Sequence, residues 1–191
     1  MPSLTTGDLP SPALPELFGD DLAWVAGLPA APLTGASSPE RKLHALWREM
    51  LAGARPPDDP AILSLGVAAG RATARLLADL EKADEAIAAA QATLVLATDA
   101  ETLLVLGTVH AARGGVGDRN PLDPASREAL TAAENALGRA VVAEPRLVDA
   151  WVLLGLVQAR QGRLDDARRT WQMGLERSPS HPELLDLLGK K

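Results

Sequence analysis

Cysteine is absent from this chain of 191 residues, which excludes disulfides, thiolate nucleophiles, iron–sulfur clusters and cysteine-ligated zinc. Aromatic residues make up only 3% of the sequence, with four Trp, one Phe and no Tyr. The hydrophobic share of 47% is therefore carried by Ala, Leu and Val. Because Ala and Leu are strong helix formers, whereas strands favour β-branched and aromatic residues, this composition predicts an all-α protein.

The chain also lacks long apolar runs and an excess of positive charge. No run approaches the roughly 18 consecutive apolar residues of a membrane span, so no membrane insertion is expected. The first basic residue is Arg41, and Asp8, Glu16 and Asp20 precede it, so we expect no secretory signal and a cytoplasmic protein. The net charge of −6 argues against a nucleic-acid partner.

Proline is concentrated at one end, with ten of the fifteen prolines in residues 1–60. Proline fixes φ and moves the preceding residue away from helical geometry. We therefore interpret residues 1–39 as a proline-rich extension. Within it, residues 16–26 can form a short amphipathic helix, because three apolar residues fall on one helical face: Phe18, Leu22 and Val25.

Residues 40–59 are predicted to be an amphipathic helix followed by a linker. Ser38 can cap the helix at 40–52, and Gly53 suits its end. Its apolar residues follow the i, i+3, i+4, i+7, i+8 spacing of one helical face: Leu43, Leu46, Trp47, Met50 and Leu51. The favoured interpretation is that this helix covers one end of a larger α-structure. The alternative is that it, or the helix at 16–26, docks on a partner.

Three short stretches repeat one pattern, in which a large apolar residue, two spacers, Leu and Gly follow one another. They read LLVLG at 103–107, WVLLG at 151–155 and LDLLG at 185–189. Trp151 and Leu185 are 34 residues apart. Residues 148–181 complete the pattern with Leu154, Gly155, Ala167, Trp171, Gly174 and Pro179. This segment resembles a tetratricopeptide repeat, and the chain is identified as a bacterial-type member of that family.

The resemblance implies an α–α superhelix of about three helical hairpins, occupying residues 60–191, with an N-terminal helical extension. Residues 60–99 are interpreted as a degenerate repeat, and residues 182–191 as a capping helix. From Leu103 to Trp151 is 48 residues, 14 more than the period, so residues 100–147 carry a 14-residue insertion. We expect it in the turn near 113–126, and the second helix can also be lengthened. The second helix of that repeat should begin at Asp123 as cap, with Pro124 first. Gln158 stands where the family usually has an aromatic residue.

No residue pattern in the chain has the spacing of a catalytic or cofactor site. The Gly cluster at 114–117 lacks the Gly-Lys-Ser/Thr ending of a P-loop. Asp118, Asn120 and Asp123 lack EF-hand spacing. None of the three histidines pairs at i, i+4 with another zinc-type ligand: His44, His110 and His181. We expect no enzyme, no cofactor and no metal.

The resemblance implies a concave groove lined by the first helix of each repeat. By position, its residues are Glu101, Leu104, Thr108, Ala111, Asp149, Val152, Leu156, Ala159, Arg160 and Asp186. Repeats that clamp C-terminal carboxylates use Lys and Asn at the positions of Val152 and Leu156, which here are apolar. An apolar or amphipathic helical ligand is therefore favoured. The alternative is that the groove contacts the chain's own N-terminal helices, with residues 16–26 tethered into it.

The expected function is a non-catalytic scaffold or adaptor that binds a protein or peptide partner. A narrower alternative is an assembly factor similar to the tetratricopeptide domains of cytochrome c maturation proteins, which also carry an enlarged turn before a well-formed last repeat. A third possibility is a self-associating structural subunit, a homo-oligomer that uses Trp24 and Trp47 as exposed anchors.

Overall fold

A computed structural model describes residues 60–118 and 120–189. These residues form seven α-helices and no strand. The helices are α1 (Pro60–Asp79), α2 (Ala83–Leu96), α3 (Ala100–Arg113), α4 (Pro124–Ala143), α5 (Val148–Arg160), α6 (Leu164–Arg177) and α7 (Pro182–Gly189). The predicted all-α class is confirmed. The helices predicted at 16–26 and 40–52 lie outside the described residues.

Consecutive helices pair into three hairpins, α1–α2, α3–α4 and α5–α6, and α7 packs against α6. The first helix of each hairpin also contacts the first helix of the next, so α1 touches α3 and α3 touches α5. Each hairpin contributes one helix to a row of first helices and one to a row of second helices. This arrangement is the helical-repeat superhelix that the sequence predicts.

Glycine and large side chains interlock within the hairpins. A methyl group on Gly107 would lie 2.5 Å from Leu137 Cγ, and one on Gly155 would overlap the Trp171 indole. The indole Nε1 of Trp171 donates a hydrogen bond of 3.1 Å to the carbonyl of Val152, so its polar edge is satisfied in the core. The signature Gly of the second and third hairpins, Gly107 and Gly155, therefore lets the second helix of the hairpin approach closely.

Alanine dominates the core of the first hairpin. Ala74, Ala86, Ala89 and Ala90 are all fully buried, and they pack with Leu77. Two further clusters follow along the array, one around Leu103, Leu130, Leu137, Trp151 and Leu154, and one around Val152, Ala167, Trp171 and Leu184. The core is thus built from small residues at helix contacts and large ones between them, which accounts for the scarcity of aromatics.

The fourteen extra residues of the second hairpin are shared between its turn and its second helix. The connection from α3 to α4 has ten residues, at 114–123, whereas those in the other two hairpins have three. Helix α4 has 20 residues, whereas α2 and α6 have 14. The insertion expected in the turn is thus divided between the turn and a lengthened second helix. The cause is the predicted cap: Asp123 accepts from Ser126 N at 2.6 Å and Pro124 is the first residue, so the helix begins early.

The tight turns place one residue in the left-handed backbone region. Gly162 has φ of +83° in the turn between α5 and α6, as its residue type predicts. Glu81 holds the equivalent place between α1 and α2, with φ of +59°, although it has a side chain. Left-handed geometry at a residue other than glycine costs about 1–2 kcal/mol, so this turn is strained.

Two polar details concern buried Gln158 and the starts of α2 and α6. Gln158 is buried, and its side-chain oxygen accepts a hydrogen bond of 2.7 Å from Thr170, so the missing aromatic is replaced by a polar pair. The acids that start α2 and α6 are not N-caps, since Lys82 and Arg163 hold those positions. Instead, Asp84 pairs with Arg113 at 2.7 Å, and Asp166 with Arg163 at 2.8 Å.

Candidate binding groove

The first helices of the hairpins line one groove of about 400 Å³. Helices α1, α3 and α5 form its sides and floor, and α7 contributes one residue at its end. Its lining residues are Arg75, Ala78, Asp79, Leu104, Val105, Thr108, Val109, Asp149, Val152, Leu153, Leu156 and Glu183. The groove thus crosses all three hairpins.

The groove has an apolar floor and a charged rim. Val105, Val109 and Val152 are almost fully buried, and three half-buried leucines stand above them: Leu104, Leu153 and Leu156. The rim carries the exposed carboxylates of Asp79, Asp149 and Glu183 and the exposed guanidinium of Arg75. None of these four forms an ion pair with another residue in 60–118 or 120–189. The rim therefore presents an excess of negative charge around apolar surface.

Five of the ten residues expected in the groove line it. They are Leu104 and Thr108 on α3, and Asp149, Val152 and Leu156 on α5. The structure therefore brings together the middle of the expected site.

Four of the remaining five residues lie elsewhere on the array. Ala111 is 1% exposed and packs in the core cluster around Leu130, so it has no surface to offer a ligand. Glu101 lies at the edge of α3, where Arg71 Nε binds it at 3.2 Å. Ala159 is half-buried and packs against the cluster around Trp171. Asp186 is on α7 and is exposed, but Glu183 is the α7 residue that lines the groove.

Arg160 anchors the enlarged connection. Its Nη2 atom donates a hydrogen bond of 2.8 Å to the carbonyl of Asn120, which is 40 residues away in sequence. The ten-residue connection is thereby tied to the C-terminal turn of α5. The guanidinium therefore holds a loop and does not line the groove.

An ion-pair cluster joins α1 to α3 beside the groove. Arg71 Nη1 lies 3.0 Å from Asp99, and Arg71 also reaches Glu101. Asp99 caps α3 by accepting a hydrogen bond of 2.8 Å from Thr102 N. Burial alone would raise the pKa of Asp99, but the hydrogen bonds from Thr102 and the positive charge of Arg71 outweigh burial and hold the pKa below its usual value. The cluster fixes the spacing of two helices that line the groove.

A second cleft, of about 640 Å³, lies between the second helices α2 and α4, with α3 at its base. Its wall carries His110, whose pKa is lowered by burial and by the nearby charge of Arg113. Its rim is polar and exposed, with Gln91, Glu128 and Asn135. This cleft spans two hairpins, whereas the groove spans three, so the groove offers the longer continuous apolar surface.

The described part of the chain holds neither a metal-binding cluster nor a membrane-spanning helix. Within residues 60–118 and 120–189, no group of three or more His, Asp or Glu side chains is arranged to hold a metal ion. Within the same residues, no helix combines the length and the apolarity that crossing a membrane requires.

The comparisons with known proteins agree with the geometry of the array. The family model described as tetratricopeptide repeat matches residues 126–182, which include most of α4 and all of α5 and α6. The matched segment contains the four groove residues of α5, Asp149, Val152, Leu153 and Leu156. Comparison with curated proteins and with solved structures gives no further match.

Proposed function

We propose that this chain, whose residues 126–182 match the tetratricopeptide-repeat family, binds an amphipathic helical segment of a partner protein in its groove. Repeats of this family mediate protein–protein interaction. In this proposal the protein is a non-catalytic scaffold, and the first helices α1, α3 and α5 supply the contact surface. The observation that carries the proposal is the apolar floor of the groove, framed by exposed charges.

The dimensions of the groove suit a short helix. Packed helices lie about 8–10 Å apart, so a ligand that crosses from α1 to α5 runs over about 20 Å. A helix rises 1.5 Å per residue, so this distance corresponds to about 13–14 residues, or nearly four turns. Such a ligand can place two or three apolar residues at i, i+3 and i+7 against Leu104, Leu153 and Leu156.

The charge on the rim favours a ligand with basic residues beside its apolar stripe. Asp79, Asp149 and Glu183 outnumber Arg75, so Lys or Arg on the flanks of the ligand would be attracted. The chain's own segment 16–26 carries three acids and no base. Like charges would then face each other across the groove, so we propose an external ligand in preference to that segment.

A matched pair of threonine variants tests the proposal. Thr108 and Thr131 are both exposed, and each hydroxyl donates to the carbonyl four residues earlier, at 2.8 Å and 2.9 Å. Thr108 lies in the groove, whereas Thr131 lies in the second cleft. Thr108→Arg adds a bulky positive charge to the groove, and Thr131→Arg adds the same side chain elsewhere.

The measured quantity is the Kd for a helical peptide of about 14 residues with a leucine stripe and lysine flanks, compared with a glutamate-flanked version. We expect the lysine-flanked peptide to bind more tightly, and Thr108→Arg to weaken it about tenfold, since each factor of ten is about 1.4 kcal/mol. Thr131→Arg should leave Kd unchanged. Equal Kd values for the two peptides, or weakening by Thr131→Arg alone, would overturn the proposal.

An assembly-factor role is the second candidate. The observation that favours it is the ten-residue connection at 114–123, which precedes the well-formed last hairpin and is held by Arg160.

Self-association is a separate possibility because Met173 and Leu185 are 47% and 48% exposed near the C-terminal end. Light scattering distinguishes it from adaptor function: a constant monomer mass over a wide concentration range excludes self-association.

A further inference from the structure

Helix α1 carries an apolar stripe on the side that faces away from its core. Leu65 is 46% exposed, Ala72 is exposed, and Ala68 and Leu76 are half-buried. These residues recur at spacings of three and four, so they fall on one helical face. The opposite face, with Val67, Ala74 and Leu77, packs in the first core cluster. Within residues 60–118 and 120–189, α1 is the first helix of the array, so no described helix precedes it to cover this stripe.

The segment at 40–52 has the complementary pattern. Its stripe of Leu43, Leu46, Trp47, Met50 and Leu51 is made of large side chains, whereas the stripe on α1 has two alanines between its two leucines. Inside the hairpins, large side chains pack against small residues, as Leu137 does against Gly107. A stacked array exposes apolar surface at its ends unless a capping element covers it.

The intervening chain has the length of a helix–helix connection. Residues 53–59 number seven, and connections between neighbouring helices in bundles have about 2–8 residues. A helix of 13 residues is about 20 Å long, and the stripe from Leu65 to Leu76 extends over about 16 Å. If the chain reverses direction at the midpoint of this connection, two residues face each other when their numbers add up to about 112. Trp47 then lies opposite Leu65, and His44 opposite Ala68.

We propose that residues 40–52 form a helix that docks antiparallel on the stripe of α1 defined by Leu65, Ala68, Ala72 and Leu76. The chain's own segment thereby closes the N-terminal end of the array. The groove is a separate surface, since it meets α1 only at its C-terminal end, at Arg75, Ala78 and Asp79. This inference does not depend on what the groove binds.

Cross-linking of paired cysteines in the full chain tests the proposal, because the chain has no cysteine of its own. The test pair is His44→Cys with Ala68→Cys, which leaves every large apolar residue in place. Two control pairs combine His44→Cys with Thr108→Cys in the groove, or with Val142→Cys, which is 80% exposed on α4. The readout is the rate of intramolecular cross-linking by a short bismaleimide.

The test pair should cross-link at least ten times faster than either control. Faster cross-linking to Thr108→Cys would place the segment in the groove, and cross-links between two copies would place it on a partner chain; both overturn the proposal. Equal rates for all three pairs do the same.

Fluorescence gives a second measurement that does not need cysteine. The contribution of Trp47 is the difference between the spectra of the chain and its Trp47→Phe variant. That contribution should be blue-shifted, and Leu65→Glu should shift it to the red, whereas Thr108→Glu should not. A Trp47 contribution that is red-shifted in the unaltered chain contradicts docking.

Discussion

The close contact between Gly155 and Trp171 gives the sharpest stability prediction. A methyl group at Gly155 would overlap the indole ring of Trp171, which is 7% exposed and whose Nε1 donates to the Val152 carbonyl. Gly155→Ala therefore forces the ring to move. Gly138 is the matched control: it is also inside a helix, α4, but a methyl group there would meet nothing within 4 Å.

The two substitutions should change the free energy of unfolding in opposite directions. Replacing glycine with alanine inside a helix gains about 0.5–1 kcal/mol, and Gly138→Ala should show that gain. At Gly155 the same gain is opposed by overpacking, at about 1–3 kcal/mol, and by loss of the indole hydrogen bond, at about 0.5–1.5 kcal/mol. Gly155→Ala should therefore lower the free energy of unfolding by about 1–3 kcal/mol relative to the unaltered chain.

The assay is denaturant unfolding followed by far-UV circular dichroism, with Trp fluorescence as a second probe. A shift of the midpoint to lower denaturant for Gly155→Ala, and to higher denaturant for Gly138→Ala, is the expected result. The double variant Gly155→Ala with Trp171→Leu should recover part of the loss from the glycine change, because the smaller side chain makes room. If Gly155→Ala proves as stable as Gly138→Ala, close helix approach at the signature Gly does not determine the packing of the hairpin.

Three further predictions concern strain and ionisation. Glu81→Gly should raise Tm, because it relieves a left-handed backbone at a cost of about 1–2 kcal/mol, while Gly162→Ala in the equivalent turn should lower it. His110 has a lowered pKa in the folded state, so the unfolded chain binds its proton first; stability should fall as pH drops below 6.5, and His110→Gln should flatten that part of a Tm-versus-pH curve. Asp99→Ala should cost about 0.5–2 kcal/mol through loss of the α3 cap, measured by urea unfolding at neutral pH. The pKa of Asp99 is also lowered, so its stabilisation should disappear as pH falls below 3.8, and the variant should show a weaker acid dependence.

The repeat signature predicted the last two hairpins well because its residues act locally. Gly155, Ala167 and Trp171 have the required sizes at contacts between helices that are neighbours in sequence. Short turns then leave few ways for the two helices of a hairpin to pack. The concave position of Leu104 and Leu156 follows from the same spacing, so this part of the groove was predictable.

Residues whose environment depends on distant segments were not predictable. Arg160 lies at the right helical position for the groove, but the carbonyl of Asn120 accepts its hydrogen bond, and the path of that connection is not encoded in the repeat. Glu101 is bound by Arg71 of the degenerate first repeat, whose register the signature does not define. Ala111 lies three residues after Thr108 on α3. That spacing turns its side chain away from the groove and towards α4.

Glu183 was missed although the sequence carries a signal for it. It stands 34 residues after Asp149, so the repeat period assigns both residues to the same position of their helices. Asp186 stands 34 residues after Val152, at the corresponding position of the repeat, but it does not line the groove. Helix α7 has only eight residues, so its first turn is the part that reaches the groove. Following the acidic position from repeat to repeat would have identified the charged rim.

Binding of a partner helix along the first helices of the array is the core of the proposed function. Its most direct test is amide chemical-shift mapping of the full chain during titration with the lysine-flanked peptide. Shifts should concentrate at Leu104, Thr108, Val152 and Leu156 and should continue on α1 near Asp79. Shifts that centre instead on the second cleft, around His110 and Asn135, would contradict the assignment of the groove as the binding surface.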